Sequence, residues 1–292
     1  MLSTLRRLLA LVVTALYPSQ AGAAISTLLG RALARLSFTR TASPAPSETI
    51  VGYVTDVEGN LSYFDRWVAE SGVLRYREGT QDLELVHERA YFVYGGDVMD
   101  RGDGSLRLAR RLVDLKKRYP ERVVLLAGNR DLNKVRLTSE LASDDLARPY
   151  NSIPGPFWDP KAPTLAQYLE NLAAERAVPA AELDCRAERL RYYLRHTLGC
   201  PHTFEMRRSE LALLANGGGR SDGTVGAGGA GGNRCETVNV VSDEEVVQSM
   251  LDDIRPPDKG ERCGVLREYL GLSCIAACLG NTMFVHGALS AL

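Results

Sequence analysis

Four short apolar runs in this sequence each stop at a polar side chain near glycine. Ile50-Val-Gly-Tyr-Val-Thr runs into Asp56, and Tyr91-Phe-Val-Tyr-Gly-Gly into Asp97. Val123-Val-Leu-Leu-Ala-Gly runs into Asn129, and Thr282-Met-Phe-Val into His286. Two carboxylates, an amide oxygen and an imidazole are donors that hold divalent cations such as Mn, Fe, Zn or Mg. The most informative stretch is Gly96-Asp97-Val98-Met99-Asp100-Arg101-Gly102. A carboxylate at a strand end, a tight glycine turn and an arginine place a cation-holding group beside a bidentate clamp for phosphate oxygens. Asp97 is positioned there to bridge two metals.

Continuous apolar runs of this length suit strands buried on both faces. Ligands in open α/β sheets bind beyond the carboxyl ends of such strands, so the four polar residues are expected to converge. Between the strands, Leu106, Ala109, Leu112 and Val113 share one face of a helix over 105–119 that stops at Pro120. Residues 74–89 read as an antiparallel hairpin. Helices are expected over 164–177 and 180–197, and a third begins at a capping box of Ser242 and Glu245. Residues 217–232 are glycine-rich and read as a loop. Cys274 and Cys278 sit four apart in an apolar, helix-like stretch. There they read as buried small hydrophobes rather than ligands.

The order Asp56-Val-Glu58-Gly59-Asn60, then Gly-Asp97-x-x-Asp-Arg101-Gly, then Gly-Asn129-Arg130-Asp131, then Val-His286-Gly resembles the calcineurin-like metallophosphoesterases, which include the serine/threonine phosphoprotein phosphatases. That family's pattern is D-x-H-G, G-D-x-x-D-R-G, G-N-H-[DE] and a later V-H-G. The resemblance implies an α/β sandwich of two sheets flanked by helices, with a largely helical or loop insertion over 136–280 and an incomplete second sheet. It also implies a metal-dependent phosphatase with two divalent ions. Asp56, Glu58, Asp97, Asn129 and His286 would ligate metal, with Asp97 between the two ions. Arg101, Arg130 and Asn60 would contact the substrate phosphate, and Asp97, Arg101, Arg130 and Asp131 would carry the chemistry. A metal pair lowers the pKa of a shared water, which attacks phosphorus in line with the leaving oxygen.

Three departures modify that picture. Glu58 stands where the family has its first histidine. Arg130 stands where the family has the histidine that protonates the leaving group, with Asp131 beside it to orient it. Arginine keeps its proton at working pH, and loss of general-acid help costs about 10²–10⁴-fold in rate. A final histidine segment has no counterpart after His286. A phosphatase-like protein that binds phosphate or metal as a regulator is therefore the alternative function.

The rest of the composition narrows partners and compartment. The first 47 residues hold five arginines, no lysine and no acid, leaving 30 basic against 36 acidic side chains in the remainder. A body of net charge −6 lacks the clustered cations of a nucleic-acid binder. The expected partner is a phosphorylated substrate, either a phosphoprotein or a small ester. Residues 1–47 read as a targeting segment and linker, for a mitochondrion or plastid or alternatively for secretion, and 48–292 as the phosphoesterase domain. The apolar run at 8–17 is too short for a stable membrane span.

Overall fold

The computed structural model describes residues 39–40, 49–216, 240–257 and 263–287. The expected targeting segment, apart from 39–40, and the glycine-rich stretch 217–232 lie outside the described residues. In chain order the elements begin with β1 (Thr39–Arg40), β2 (Ile50–Val54), α1 (Leu61–Ser71), β3 (Leu74–Tyr76), β4 (Leu83–Leu85) and β5 (Ala90–Tyr94). Then come α2 (Ser105–Arg118), β6 (Val123–Leu125), α3 (Asn129–Asn133), α4 (Leu137–Glu140) and α5 (Ser143–Leu146). The helical region continues with α6 (Leu165–Arg176), α7 (Ala180–Leu183), α8 (Arg186–Tyr192) and α9 (Thr203–Ala215). The chain closes with α10 (Asp243–Asp252), α11 (Val265–Leu272), β7 (Ala276–Leu279) and β8 (Thr282–Val285).

Strand β5 lies between β2 and β6, all parallel. Register brings Val54, Tyr94 and Leu125 level, so three strands end in one row and the residues after them leave from one edge. The second sheet has the order β1-β7-β8, and the hairpin β3–β4 forms as expected. The two sheets meet across a thin apolar layer of Val93 and Val124 from the first and Ala277 and Leu279 from the second. Cys274 ties them together: its N–H donates to the Leu125 carbonyl (2.9 Å) and its carbonyl accepts from the Ala127 N–H (3.0 Å).

The opposite face of the first sheet supports the main core. Helix α2 buries Leu106, Leu108, Ala109, Leu112, Val113 and Leu115, and its last turn carries Lys116, Lys117 and Arg118 where cations suit the helix dipole. Helix α6 opens on a capping box of Thr164 with Gln167, and α10 on Ser242 with Glu245. Among the described residues no helix is long and apolar enough to cross a membrane.

Four local expectations need correction. Burial on both faces suits β5 and β6 but not β2, an edge strand whose Ile50, Val51 and Tyr53 are exposed. Strand β8 joins the other sheet, antiparallel to β7, and is only partly buried. The single helix over 180–197 is broken after Leu183, where the Asp184 carboxylate turns to the Arg189 guanidinium (2.7 Å), and its end winds as a π-type turn at Tyr193–Thr197. Cys278 lies in β7 and Cys274 just before it, so that stretch is extended rather than helical.

Candidate active site

The level strand ends deliver Asp56, Asp97 and Asn129 to one edge, and β8 delivers His286 to the same spot. One ligand atom each from Asp56, Asp97 and His286 lie within 4.8 Å of one another. Among the described residues no other three His, Cys, Asp or Glu side chains gather in this way. His286 Nδ1 is 2.8 Å from the Gly95 carbonyl oxygen, which only accepts, so Nδ1 carries the proton. Nε2 then faces Asn129 Oδ1 (2.9 Å) and Asp97 Oδ1 (3.5 Å). Two acceptor oxygens and a ring nitrogen that face one another are satisfied by a shared proton or by a cation. The donor set therefore fits a divalent metal.

A second set of charges lies beside the first. Arg130 Nε is 3.3 Å from Glu58 Oε1 and 3.7 Å from Asp97 Oδ2, and its NH1 is 3.7 Å from Asp100 Oδ2. Arg101 Nε is 2.9 Å from Glu58 Oε2. The Lys134 ammonium, itself buried, is 2.5 Å from Asp100 Oδ1. Burial works against the Arg130 charge, but Glu58 and then Asp100 outweigh it and its pKa is raised. Burial raises the Glu58 and Asp97 carboxyls above the usual range, opposed at Glu58 by Arg130 and at Asp97 by the Arg130 backbone N–H.

Asp131, expected to orient Arg130, acts elsewhere. Its carboxylate accepts the backbone N–H groups of Asp97 (2.9 Å), Val98 (2.9 Å) and Gly128 (3.0 Å). It is fully buried, and burial together with the Asp97 charge pushes its pKa up to about 6. Asp131 thus fixes the turn that aims Asp97, while Glu58, Asp97 and Asp100 face the guanidinium. Asn60 caps α1: its Oδ1 accepts from the Tyr63 N–H (3.1 Å) and the Ser62 hydroxyl (2.9 Å).

The backbone at the site is unusual. Among the described residues, four of the five non-glycine residues with positive φ are Asp56 (53°), Glu58 (51°), Asp97 (56°) and Asp100 (131°). Such conformations cluster at functional sites because surrounding structure must hold them. Two glycines let the loops interlock. A Cβ on Gly128 would stand 2.1 Å from Asp97 Oδ1, and one on Gly102 would stand 2.2 Å from the backbone of Gly59.

Several contributors carry no motif in the sequence. Lys134 follows Arg130 by one helical turn, and nothing in its surroundings in the chain marks it as buried. Thr203, at the start of α9, donates its hydroxyl to the Asp100 carbonyl (2.7 Å) from about a hundred residues away. A groove of about 580 Å³ opens beside Arg101, walled by Asn60, Ser62, His202, Glu205 and Met206. A larger groove of about 1100 Å³ between α2, α9 and α10 holds none of the site residues. His87 lies in a turn and accepts the Arg89 N–H, and His196 packs against the rings of Tyr168 and Tyr192.

Serine/threonine-protein phosphatase sitA of Aspergillus fumigatus is 40% identical over 57 residues, which is 20% of this chain and 14% of that protein. The chain therefore spans only a small part of that relative's length. No solved structure matches. A family model for the calcineurin-like phosphoesterases matches residues 51–197, half of the chain, and carries β2, β5, β6 and the loops holding Asp56, Asp97 and Asn129. With a parallel sheet whose strand ends bear the family's carboxylates and amide, and with His286 brought to them from the second sheet, the chain belongs to the calcineurin-like phosphoesterase family.

Proposed function

We propose that this protein is a metal-dependent phosphoester hydrolase. The observation that carries the reading is the convergence of Asp56, Asp97 and His286, with Asn129 against His286, beside two guanidiniums. Asp56, Asp97, Asn129 and His286 would hold the metal. A bound divalent cation supplies Lewis acidity and a water acidic enough to attack near neutral pH. The chain's own groups do the rest. Asp97 is aimed by Asp131, and His286 is held in its metal-binding tautomer by the Gly95 carbonyl. Arg101 and Arg130 present fixed positive charge to the phosphoryl oxygens as charge builds on them. The Asn60 amide nitrogen, left over after helix capping, adds a donor at the mouth of the groove.

No group held at position 130 donates a proton to the leaving oxygen, because arginine does not titrate in the working range. The reading therefore favours substrates whose leaving group needs no proton, such as aryl phosphates and phosphoanhydrides. Phosphoproteins and small phosphate esters both remain in the substrate class. The acid-free, arginine-bearing first 47 residues support delivery to a mitochondrion or plastid, with secretion the alternative, which localisation of a fluorescent fusion tests.

The test of function is turnover of p-nitrophenyl phosphate by the purified full chain with Mn, Mg, Fe or Zn, beside Asp97→Asn. Turnover that depends on metal and is lost in the variant supports the reading. Bound metal without turnover would leave the regulator alternative, and equal turnover in Asp97→Asn would refute the site.

A further inference from the structure

The two motif positions at which this chain departs from its family, 58 and 130, touch each other. Glu58 is buried and both its oxygens face guanidiniums, Oε1 toward Arg130 (3.3 Å) and Oε2 toward Arg101 (2.9 Å). The donors consequently separate into two sets. Asp56, Asp97 Oδ1, Asn129 and His286 gather with no basic side chain among them. Glu58, Asp97 Oδ2 and Asp100 Oδ2 surround the Arg130 guanidinium, each within 3.7 Å of it. We propose that the site holds one divalent cation and that the Arg130 guanidinium permanently fills the place of a second. This rests on the metal-dependent reading above and sharpens it.

Three physical arguments support the assignment. The first concerns freedom to move. The Arg130 guanidinium is tethered by NH1, which donates to the Leu198 carbonyl (3.3 Å), while its backbone N–H donates to Asp97 Oδ1 (2.9 Å). The second concerns charge. Asp56, Glu58, Asp97, Asp100 and Asp131 against Arg101, Arg130 and Lys134 leave two net negative charges. One dication neutralises that charge. A second would lie against the buried Arg130 guanidinium, which already faces Glu58, Asp97 and Asp100. The third concerns the pair itself. Glutamate at 58 and arginine at 130 offset part of each other's buried charge, and Arg101 and Asp100 complete the set. Asp97 then bridges a metal ion and a guanidinium rather than two metal ions.

Metal content of the full chain after Mn²⁺ loading and desalting tests this, read with the electron paramagnetic resonance of the bound ion. One Mn per chain with the hyperfine pattern of an isolated ion is expected. The doubly exchanged variant Glu58→His with Arg130→His should take up two ions and give the denser pattern of a coupled pair. Should that variant fail to fold, Arg130→Gln removes the charge with a shorter polar side chain and should gain a weaker second ion by freeing Glu58 Oε1. Two coupled ions in the unaltered protein would overturn the proposal while leaving the hydrolase reading intact. So would a single ion that stays single in every folded variant. Absence of bound Mn from the unaltered protein, equal to Asp97→Asn, would overturn both.

Discussion

Helix α2 begins directly after the loop that carries Arg101, and its N-terminus has no cap of its own, because Gly104 offers no side chain. The cap comes from another helix. Glu210 in α9 is fully buried and accepts the Leu106 N–H at Oε2 (2.9 Å) and the Arg107 N–H at Oε1 (3.1 Å), with Arg107 Nε at 3.3 Å. Glu210→Ala strands two buried backbone donors, each at about 1–3 kcal/mol, and removes a carboxylate worth about 0.3–2 kcal/mol beside the helix dipole. Arg107 keeps the Asp103 carbonyl, so its loss is smaller. The expected total is about 4 kcal/mol, and at about 2–4 °C per kcal/mol for a chain of this size the melting temperature should fall by about 8–16 °C. Glu210→Gln retains one acceptor oxygen and should lose about half as much. Because Ser105, the first residue of α2, also bonds the Gly102 carbonyl (3.3 Å), KM should rise in both variants as the Arg101 loop loosens. Thermal melts followed by far-ultraviolet circular dichroism measure the effect. A Glu210→Ala melt within about 2 °C of the unaltered protein would mean that water replaces the carboxylate without cost, and would refute the cap.

Other expectations follow from the same contacts. Arg130→His restores a titrating group beside the leaving oxygen, so the ratio of turnover on alkyl phosphates to that on p-nitrophenyl phosphate should rise at least about tenfold, towards the usual worth of a general acid. An unchanged ratio would show that position 130 does not face the leaving group. Thr203→Val keeps the volume but removes the hydroxyl that holds the Asp100 carbonyl, and should cost about 1 kcal/mol in urea denaturation. The hydrogen bond from Arg191, then that from Arg208, hold the Asp243 carboxyl down at about 2. A depressed carboxyl contributes stability that is full above its unfolded value near 4 and is lost as the pH falls through about 2. Asp243→Asn should therefore flatten the acid limb of a stability–pH curve in that window, and an unaltered limb would refute the coupling.

The strand-end residues were legible because two local regularities act together. Apolar runs mark buried strands, and a polar residue just past each run must lie at the sheet's carboxyl edge. That logic suffices for Asp56, Asp97 and Asn129, whose strands share one sheet in register. It reaches His286 only in outcome, since β8 belongs to the other sheet and arrives from the opposite layer. Glu58 reads as a ligand from its motif position, because a sequence shows which residue is exchanged and not which exchanged residues meet. The cap from Glu210 and the hydroxyl of Thr203 are tertiary contacts across about a hundred residues, with no local pattern to announce them.

The site's backbone geometry shows why so many of these contacts are needed at once. Asp56, Glu58, Asp97 and Asp100 hold positive φ at about 1–2 kcal/mol each or more, a sum comparable to the whole stability of a domain. No single loop offsets that. Instead the loops hold one another: the Asp56 N–H donates to the Gly96 carbonyl (3.1 Å), Glu58 N–H to the Asp97 carbonyl (3.1 Å) and Arg101 N–H to the Glu58 carbonyl (2.7 Å). Asp131 accepts three more N–H groups, two from the Asp97 turn and one from Gly128 in its own. Each carboxylate is thus aimed by backbone belonging to another motif, so the motifs must appear together for any one of them to work. The same interlock explains why the exchange at position 58 is matched at 130. In a cluster already rigid, a new charge finds no room to turn away, and it persists only where its counter-charge is built in beside it.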